Sequence, residues 1–362
     1  MIAPPPRGSL TPRPAGGRAG GRHGPGSRAW ARPTVLLVII FAVAAILGAC
    51  APTPSSTPFP SERPGSPALA TPPGGAAGPD LLLLADAEGH RTLSLLRLSG
   101  DVVPLPVPDP STVAVTPMPD GGLVALLADG RAFLAPRGAA GLVAGDGWRP
   151  LPLAASGSLP PGTFIAFGAT LAPDGTTLAA IARPPDAEMP GSLVLVDPGR
   201  GRSEILALPG QLAGTPPAWV DEARVAVVGR DRHDRTELVI VEAASGTIVD
   251  RIPMRALDVR TSGDTRTAVV LGDGGSLLVG STAALLERRA APAGGPATPA
   301  GDAVRGGLAL DEAGRRLAAV VDEGDDGPAR VAVYELDGAT WRAAARLTPP
   351  AGTRGGTVAW LR

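Results

Sequence analysis

From Asp80 to its C-terminus the chain repeats one short pattern, and that repetition constrains the fold more than any single motif does. A brief apolar run meets a turn built from acidic residues and glycine, and a more strongly apolar run leaves it. VAVTPMPDGGLVALLADG begins at Val113, AFGATLAPDGTTLAAIA at Ala166, PAWVDEARVAVVG at Pro217, DVRTSGDTRTAVVLG at Asp258 and GGLALDEAGRRLAAVV at Gly306. With Asp120, Asp174, Asp221, Asp264 and Glu312 as turn markers, the spacings are 54, 47, 43 and 48 residues. Asp caps a tight hairpin through its side chain and Gly tolerates a positive φ, so these residues are read as turn formers, not as a catalytic set.

Each hairpin leads into a third β-like run and often a fourth. GSLVLVDPGRGRSEILALP, TELVIVEAASGTIVDRIP and ARVAVYELDGATWRAAARLTP follow three of the five hairpins. Four antiparallel strands per repeat of this length is the arithmetic of a propeller blade. The segment that opens at Leu81 offers three strands and lacks a first one, and the last residues of the chain, TVAWLR, supply it. They echo PAWVD and place Trp360 in the register of Trp219. The two tryptophans are therefore expected to pack an inner strand. Closure by the C-terminal strand leaves no open sheet edge between the ends of the domain. Residues 80–362 give about 47 residues per blade for six blades. The expectation is an all-β, six-bladed propeller, with seven blades the main alternative.

The Pro-Asp-Gly turns at Pro119 and Pro173 resemble those of TolB-like and WD-repeat-like propellers. The resemblance spans nearly all of residues 80–362 and implies the fold while saying little of function. The chain departs from true WD repeats, because no Gly-His or Trp-Asp dipeptide marks its blades.

Ahead of the propeller lie two segments of different texture. Residues 34–49, TVLLVIIFAVAAILGA, are apolar but short for a stable membrane span. Six Arg and no acidic residue occur in residues 1–49, which suits the charged and apolar regions of a secretory signal. No Arg-Arg pair precedes the apolar run, so ordinary export is expected. The run ends in Leu47, Gly48, Ala49 and Cys50, and Cys50 is the only cysteine of the chain. This ending resembles the bacterial lipobox, which implies a diacylglyceryl group on the Cys50 thiol and cleavage just before it. Two or three acyl chains on one residue hold a protein at a membrane where a single chain is marginal. The competing reading is an uncleaved signal anchor with Cys50 incidental.

Residues 50–79 are rich in Pro, Ser and Gly and carry no apolar period, so they are read as a disordered tether. The expected domains are thus a signal peptide over 1–49, the tether over 50–79 and the propeller over 80–362. With one cysteine no internal disulfide can form, and the body must be held by packing alone.

All 33 basic residues are Arg, and 27 of them face 34 acids outside the leader. That negative body argues against nucleic-acid binding. The sequence carries no H-E-x-x-H, G-x-S-x-G or P-loop pattern, and the inner strands offer mostly Ala, Val, Leu, Thr and Trp. No cofactor, metal or catalytic residue is expected.

The charged positions cluster in loops joining a second strand to a third. Arg183 and Asp186 lie in one such loop. Arg230, Asp231, Arg232, His233, Asp234 and Arg235 make up another, and Asp322, Glu323, Asp325 and Asp326 a third. The carboxylates of the third suit calcium by type, but Gly324 breaks the EF-hand spacing, and a solvated loop tip is the reading kept. On a propeller these loops share one face, so they form the candidate binding rim. The function expected is a non-catalytic, monomeric binding or scaffold propeller. It would be lipid-anchored on the extracytoplasmic side of a cell membrane, with a protein or envelope partner. The alternatives are a lactonase- or glycosidase-like enzyme acting on envelope material, or a solute-binding or sensory subunit.

Overall fold

A computed structural model describes residues 80–135, 147–156, 159–186, 190–272, 275–287, 303–322, 329–337 and 340–361. Cys50, Glu323, Asp325 and Asp326 lie outside the described residues, as do the leader and tether. The strands form six sheets, arranged as a propeller. Blade 1 combines β24 (Thr353–Trp360) with β1 (Leu81–Ala87), β2 (His90–Leu96) and β3 (Val102–Leu105). Blade 2 is β4 (Thr112–Pro117), β5 (Leu123–Leu127), β6 (Ala132–Ala135) and β7 (Arg149–Leu151). Blade 3 is β9 (Phe164–Leu171), β10 (Leu178–Arg183), β11 (Ser192–Asp197) and β12 (Arg202–Ala207). Blade 4 is β13 (Ala218–Trp219), β14 (Arg224–Arg230), β15 (Thr236–Glu242) and β16 (Ile248–Ile252). Blade 5 is β17 (Ala256–Thr261), β18 (Thr267–Gly272) and β19 (Leu277–Ser281), and blade 6 is β20 (Ala303–Leu310), β21 (Arg316–Asp322), β22 (Ala329–Asp337) and β23 (Thr340–Leu347).

The ring closes as the terminal echo predicts. β24 runs antiparallel to β1, with Trp360 opposite Leu81, Ala359 opposite Leu82 and Val358 opposite Leu83. The closing strand starts at Thr353, four residues earlier than TVAWLR suggests.

Two blades depart from the four-strand count. In blade 3 a short fifth strand, β8 (Ala154–Ser156), pairs in parallel with the outer strand β12. Blade 5 has three strands among the described residues, followed by the one-turn helix α1 (Thr282–Leu286) capped by the Ser281 hydroxyl on the Ala284 N–H.

The domain has no single core. Its buried side chains fall into six clusters, one between each pair of neighbouring blades. Successive side chains of a strand point to opposite faces, so each middle strand serves two clusters. Leu81 and Leu83 pack toward blade 6, whereas Leu82 and Leu84 pack toward blade 2. Val225 and Val227 face blade 3, and Ala226 and Val228 face blade 5. Burial on both faces explains why LVALL, LAAIA and LAAVV are continuous apolar runs without a polar alternation.

The acidic turn markers cap their hairpins. Asp120 Oδ1 accepts from the Gly122 N–H at 2.9 Å, and Asp174 Oδ1 from Thr176 at 2.9 Å. Asp221 Oδ1 accepts from Arg224 at 2.7 Å and Asp264 Oδ1 from Arg266 at 3.0 Å. In blade 6 the capping carboxylate is Asp311, which accepts from the Arg315 and Arg316 N–H groups at 2.7 and 3.1 Å. Glu312, the residue that spacing alone selects, is exposed at the tip.

Candidate functional site

The innermost strand of a blade pairs on one side only, so alternate N–H and C=O groups turn toward the axis of the ring. Carbonyls of the inner strands also accept from side chains of neighbouring blades. Thr170 donates to the Pro217 carbonyl at 2.8 Å and Thr261 to the Trp219 carbonyl at 2.7 Å. Trp219 Nε1 donates to the Thr170 carbonyl at 3.3 Å, and Trp360 Nε1 to the Ala309 carbonyl at 3.0 Å. The two tryptophans occupy equivalent registers and are both buried, as the sequence echo implies.

The largest link in this belt is one the apolar character of the inner strands hides. Asp258 and Arg260 sit two residues apart on β17, so their side chains leave the same face. They form an ion pair at 3.3 Å with side chains only 4 % and 7 % exposed. Arg260 Nε donates to the Leu308 carbonyl of blade 6 at 2.8 Å, and Nη1 to the Pro216 carbonyl before β13 at 3.0 Å. Asp258 accepts from the Val259 and Leu308 N–H groups. One guanidinium thus ties together the blades on both sides of its own. Burial pushes the Asp258 carboxyl above the ordinary carboxylate range and the Arg260 guanidinium below its usual value, and their mutual attraction opposes both shifts.

Between these strands lies a cavity of about 440 Å³. Its mouth is formed by residues of the turns between first and second strands, among them Pro173, Gly263, Thr265 and Glu312. Deeper in, Gly168, Pro216 and Thr357 bring blades 3, 4 and 1 together. A Cβ on Gly168 would stand 2.1 Å from Pro216 Cγ and 3.3 Å from Thr357 Cγ2, so only glycine fits there, at a φ of +103°.

The candidate rim is at the other end of the blades. Strands alternate in direction, so loops joining second to third strands face away from the cavity mouth. None of the nine candidate rim residues that are described lines the cavity. Half-buried Arg183 ends β10, exposed Asp186 lies in the loop beyond it, and Asp322 ends β21.

The 230–235 loop is described fully, and its side-chain bonds all stay within it. Asp231 Oδ1 accepts from the His233 and Arg235 N–H groups at 2.7 and 3.0 Å, and its Oδ2 from Arg235 Nε and Nη2 at 2.9 and 2.7 Å. Arg230 pairs with Asp234 at 2.5 Å, and Asp234 adopts a φ of +59°. The bonds from Arg235 hold the Asp231 carboxyl down at about 2. A depressed carboxyl stabilises the fold fully above its ordinary value of 3.8, and this contribution is lost as the pH falls from there through about 2. Arg232 and His233 project from the exposed tip, with Arg232 Nε donating to His233 Nε2 at 3.2 Å. Among the described residues no group of three or more His, Cys, Asp or Glu is placed to hold a metal ion.

No protein-family model matches the chain, and no curated protein matches it in sequence. Solved structures do. TolB from Acinetobacter baumannii superposes with a TM-score of 0.53 at 13 % identity, over 79 % of this chain and 67 % of that one. The putative TolB of Agrobacterium tumefaciens gives 0.49 at 14 % identity, over 80 % and 100 % of the two chains. The Cps50 (Swd1) β-propeller domain from Myceliophteria thermophila gives 0.47 at 14 %, over 77 % and 86 %. At such identities the first of these likenesses shows the fold alone.

Proposed function

We propose that this chain is a non-catalytic binding propeller, held at the extracytoplasmic face of a bacterial membrane by acyl chains on Cys50. The observation that carries the binding reading is the 230–235 loop. It is an exposed charged tip whose shape is set in advance by Asp231, which bonds two backbone N–H groups and the Arg235 side chain. A surface ordered beforehand loses less entropy when a partner docks. The described charges of the inner strands support the non-catalytic reading, because Asp258 and Arg260 are spent on holding blades together. Leu47, Gly48, Ala49 and Cys50 support the membrane address. The partner is a protein or another component of the cell envelope, met by the face that carries Arg183, Arg230–Arg235 and Asp322.

The address is tested by Cys50→Ala. The wild-type protein is expected in the membrane fraction, with a diacylglyceryl group on Cys50 by mass spectrometry and the leader absent. The variant is expected to keep the leader and carry no acyl group. Unchanged processing of the variant would end the lipoprotein reading. The binding face is tested separately, by crosslinking in intact cells with Arg230, Arg232 and Arg235 all changed to Ala. Loss of the three guanidiniums is expected to weaken partner capture by roughly tenfold or more, with the melting temperature close to wild type. Capture indifferent to the change would move the site away from this loop.

A further inference from the structure

We propose that the central cavity binds a small, uncharged, polyhydroxylated solute, of the size and chemistry of a mono- or disaccharide. This site lies at the opposite end of the blades from the candidate rim and does not depend on the membrane address. Its volume of about 440 Å³ falls within the range of small-molecule sites, about 300–1,000 Å³.

The cavity wall excludes other ligand classes by its chemistry. An anion needs an available cation, and the guanidinium in the wall has its Nε, Nη1 and Nη2 committed to Leu308, Pro216 and Asp258. Its charge is also balanced by the Asp258 carboxylate at 3.3 Å. A cation would find Asp311 bound to backbone N–H groups and Glu312 exposed at the mouth. The depth of the cavity therefore selects for neutrality.

An apolar ligand is disfavoured by the strand edges. Ala172, Asp311 and Leu361 bond back to their second strands through Thr177, Arg316 and Asp80. By the antiparallel alternation, Leu171, Leu310 and Trp360 then turn their own N–H and C=O groups toward the axis. Thr116 and Thr357 line the cavity as well, and neither side chain makes a hydrogen bond among the described residues. A hydrocarbon would strip water from these groups and return nothing. A sugar offers donors and acceptors around its ring and C–H faces between them. Trp219 and Trp360, 4 % and 8 % exposed, also line this space, and the small part of each that is uncovered adds apolar wall beside such a face.

The test uses the full-length protein in a detergent without a sugar headgroup and saturation-transfer NMR. The probes are glucose, trehalose and maltose, with glucuronate and glucosamine as charged counterparts of glucose. At least one neutral sugar is expected to bind saturably below about 10 mM, and both charged counterparts about tenfold more weakly. Thr116→Val and Thr357→Val, each nearly isosteric, are expected to weaken binding about three- to tenfold at unchanged melting temperature. Thr357→Ser keeps the hydroxyl and is expected to retain binding even where a valine variant fails to fold. Absence of saturable binding by all three neutral sugars would overturn the proposal. So would equal binding of a charged counterpart, or binding indifferent to loss of both hydroxyls.

Discussion

Removing residues 353–362 is expected to leave no cooperatively folded propeller. The deletion takes away the whole inner strand of blade 1 and with it the pairing of Leu81 through Ala85. Trp360 and Val358, 8 % and 7 % exposed, leave the cluster they share with Leu81, Leu83, Val320 and Val331. The Trp360 Nε1 bond to the Ala309 carbonyl, which ties blade 1 to blade 6, is lost as well. Truncating one large buried aromatic costs about 3–5 kcal/mol on its own, and a domain has only about 5–15 kcal/mol to lose. The exposed edge of β1, four leucines in a row, would also invite association between chains. Circular dichroism should show no cooperative melt, and limited proteolysis should digest the body. Trp360→Phe keeps most of the packing and loses the hydrogen bond, so it is expected to stay folded and cost about 1–2 kcal/mol. A truncated chain that melted within a few degrees of wild type would show that blade 1 does not close the ring.

How much of this architecture is legible in the sequence follows from how local its causes are. The hairpins are legible because Asp120, Asp174, Asp221 and Asp264 cap turns within two or three residues of themselves. The closing strand is legible because Trp219 and Trp360 do the same job in different blades, each donating Nε1 to a carbonyl of the preceding blade's inner strand. The Asp311 cap is misjudged by one residue, since Asp311 and Glu312 are adjacent carboxylates and spacing cannot rank them. Blade 3 gains its fifth strand from a parallel contact with the segment entering the blade, and a short exposed AAS run carries no signal of it.

The cavity and the buried pair are harder still. In DVRT the charges alternate with apolar residues, as they would on any strand with one wet face. Only the ring places both faces of β17 against other blades, and only there do Asp258 and Arg260 become buried. The cavity depends on Gly168, Pro216 and Thr357 meeting near the axis, which no local window of the chain contains.

Arg260→Ala is expected to destabilise the protein by about 3–5 kcal/mol in urea unfolding, because it leaves a buried carboxylate without its cation. The Leu308 and Pro216 carbonyls lose their donor at the same time, so blades 4 and 6 are loosened from blade 5 together. Arg260→Lys should recover little of the loss. A single ammonium cannot present the planar fork that reaches two carbonyls and a carboxylate at once. Asp258→Leu combined with Arg260→Met removes both charges and is expected to be less damaging than Arg260→Ala alone, with a coupling of about 1–3 kcal/mol. The pH dependence separates a charge effect from a packing effect. Burial already raises the Asp258 carboxyl, and without Arg260 its main opposing influence is gone. A carboxyl raised in the folded state binds its proton more tightly there than in the unfolded chain, so stability falls as the pH climbs between the two values. The deficit of Arg260→Ala relative to wild type should therefore be smaller at about pH 4 than at about pH 8. A deficit under about 1 kcal/mol, or one that does not change with pH, would mean that this ion pair does not hold the three blades together.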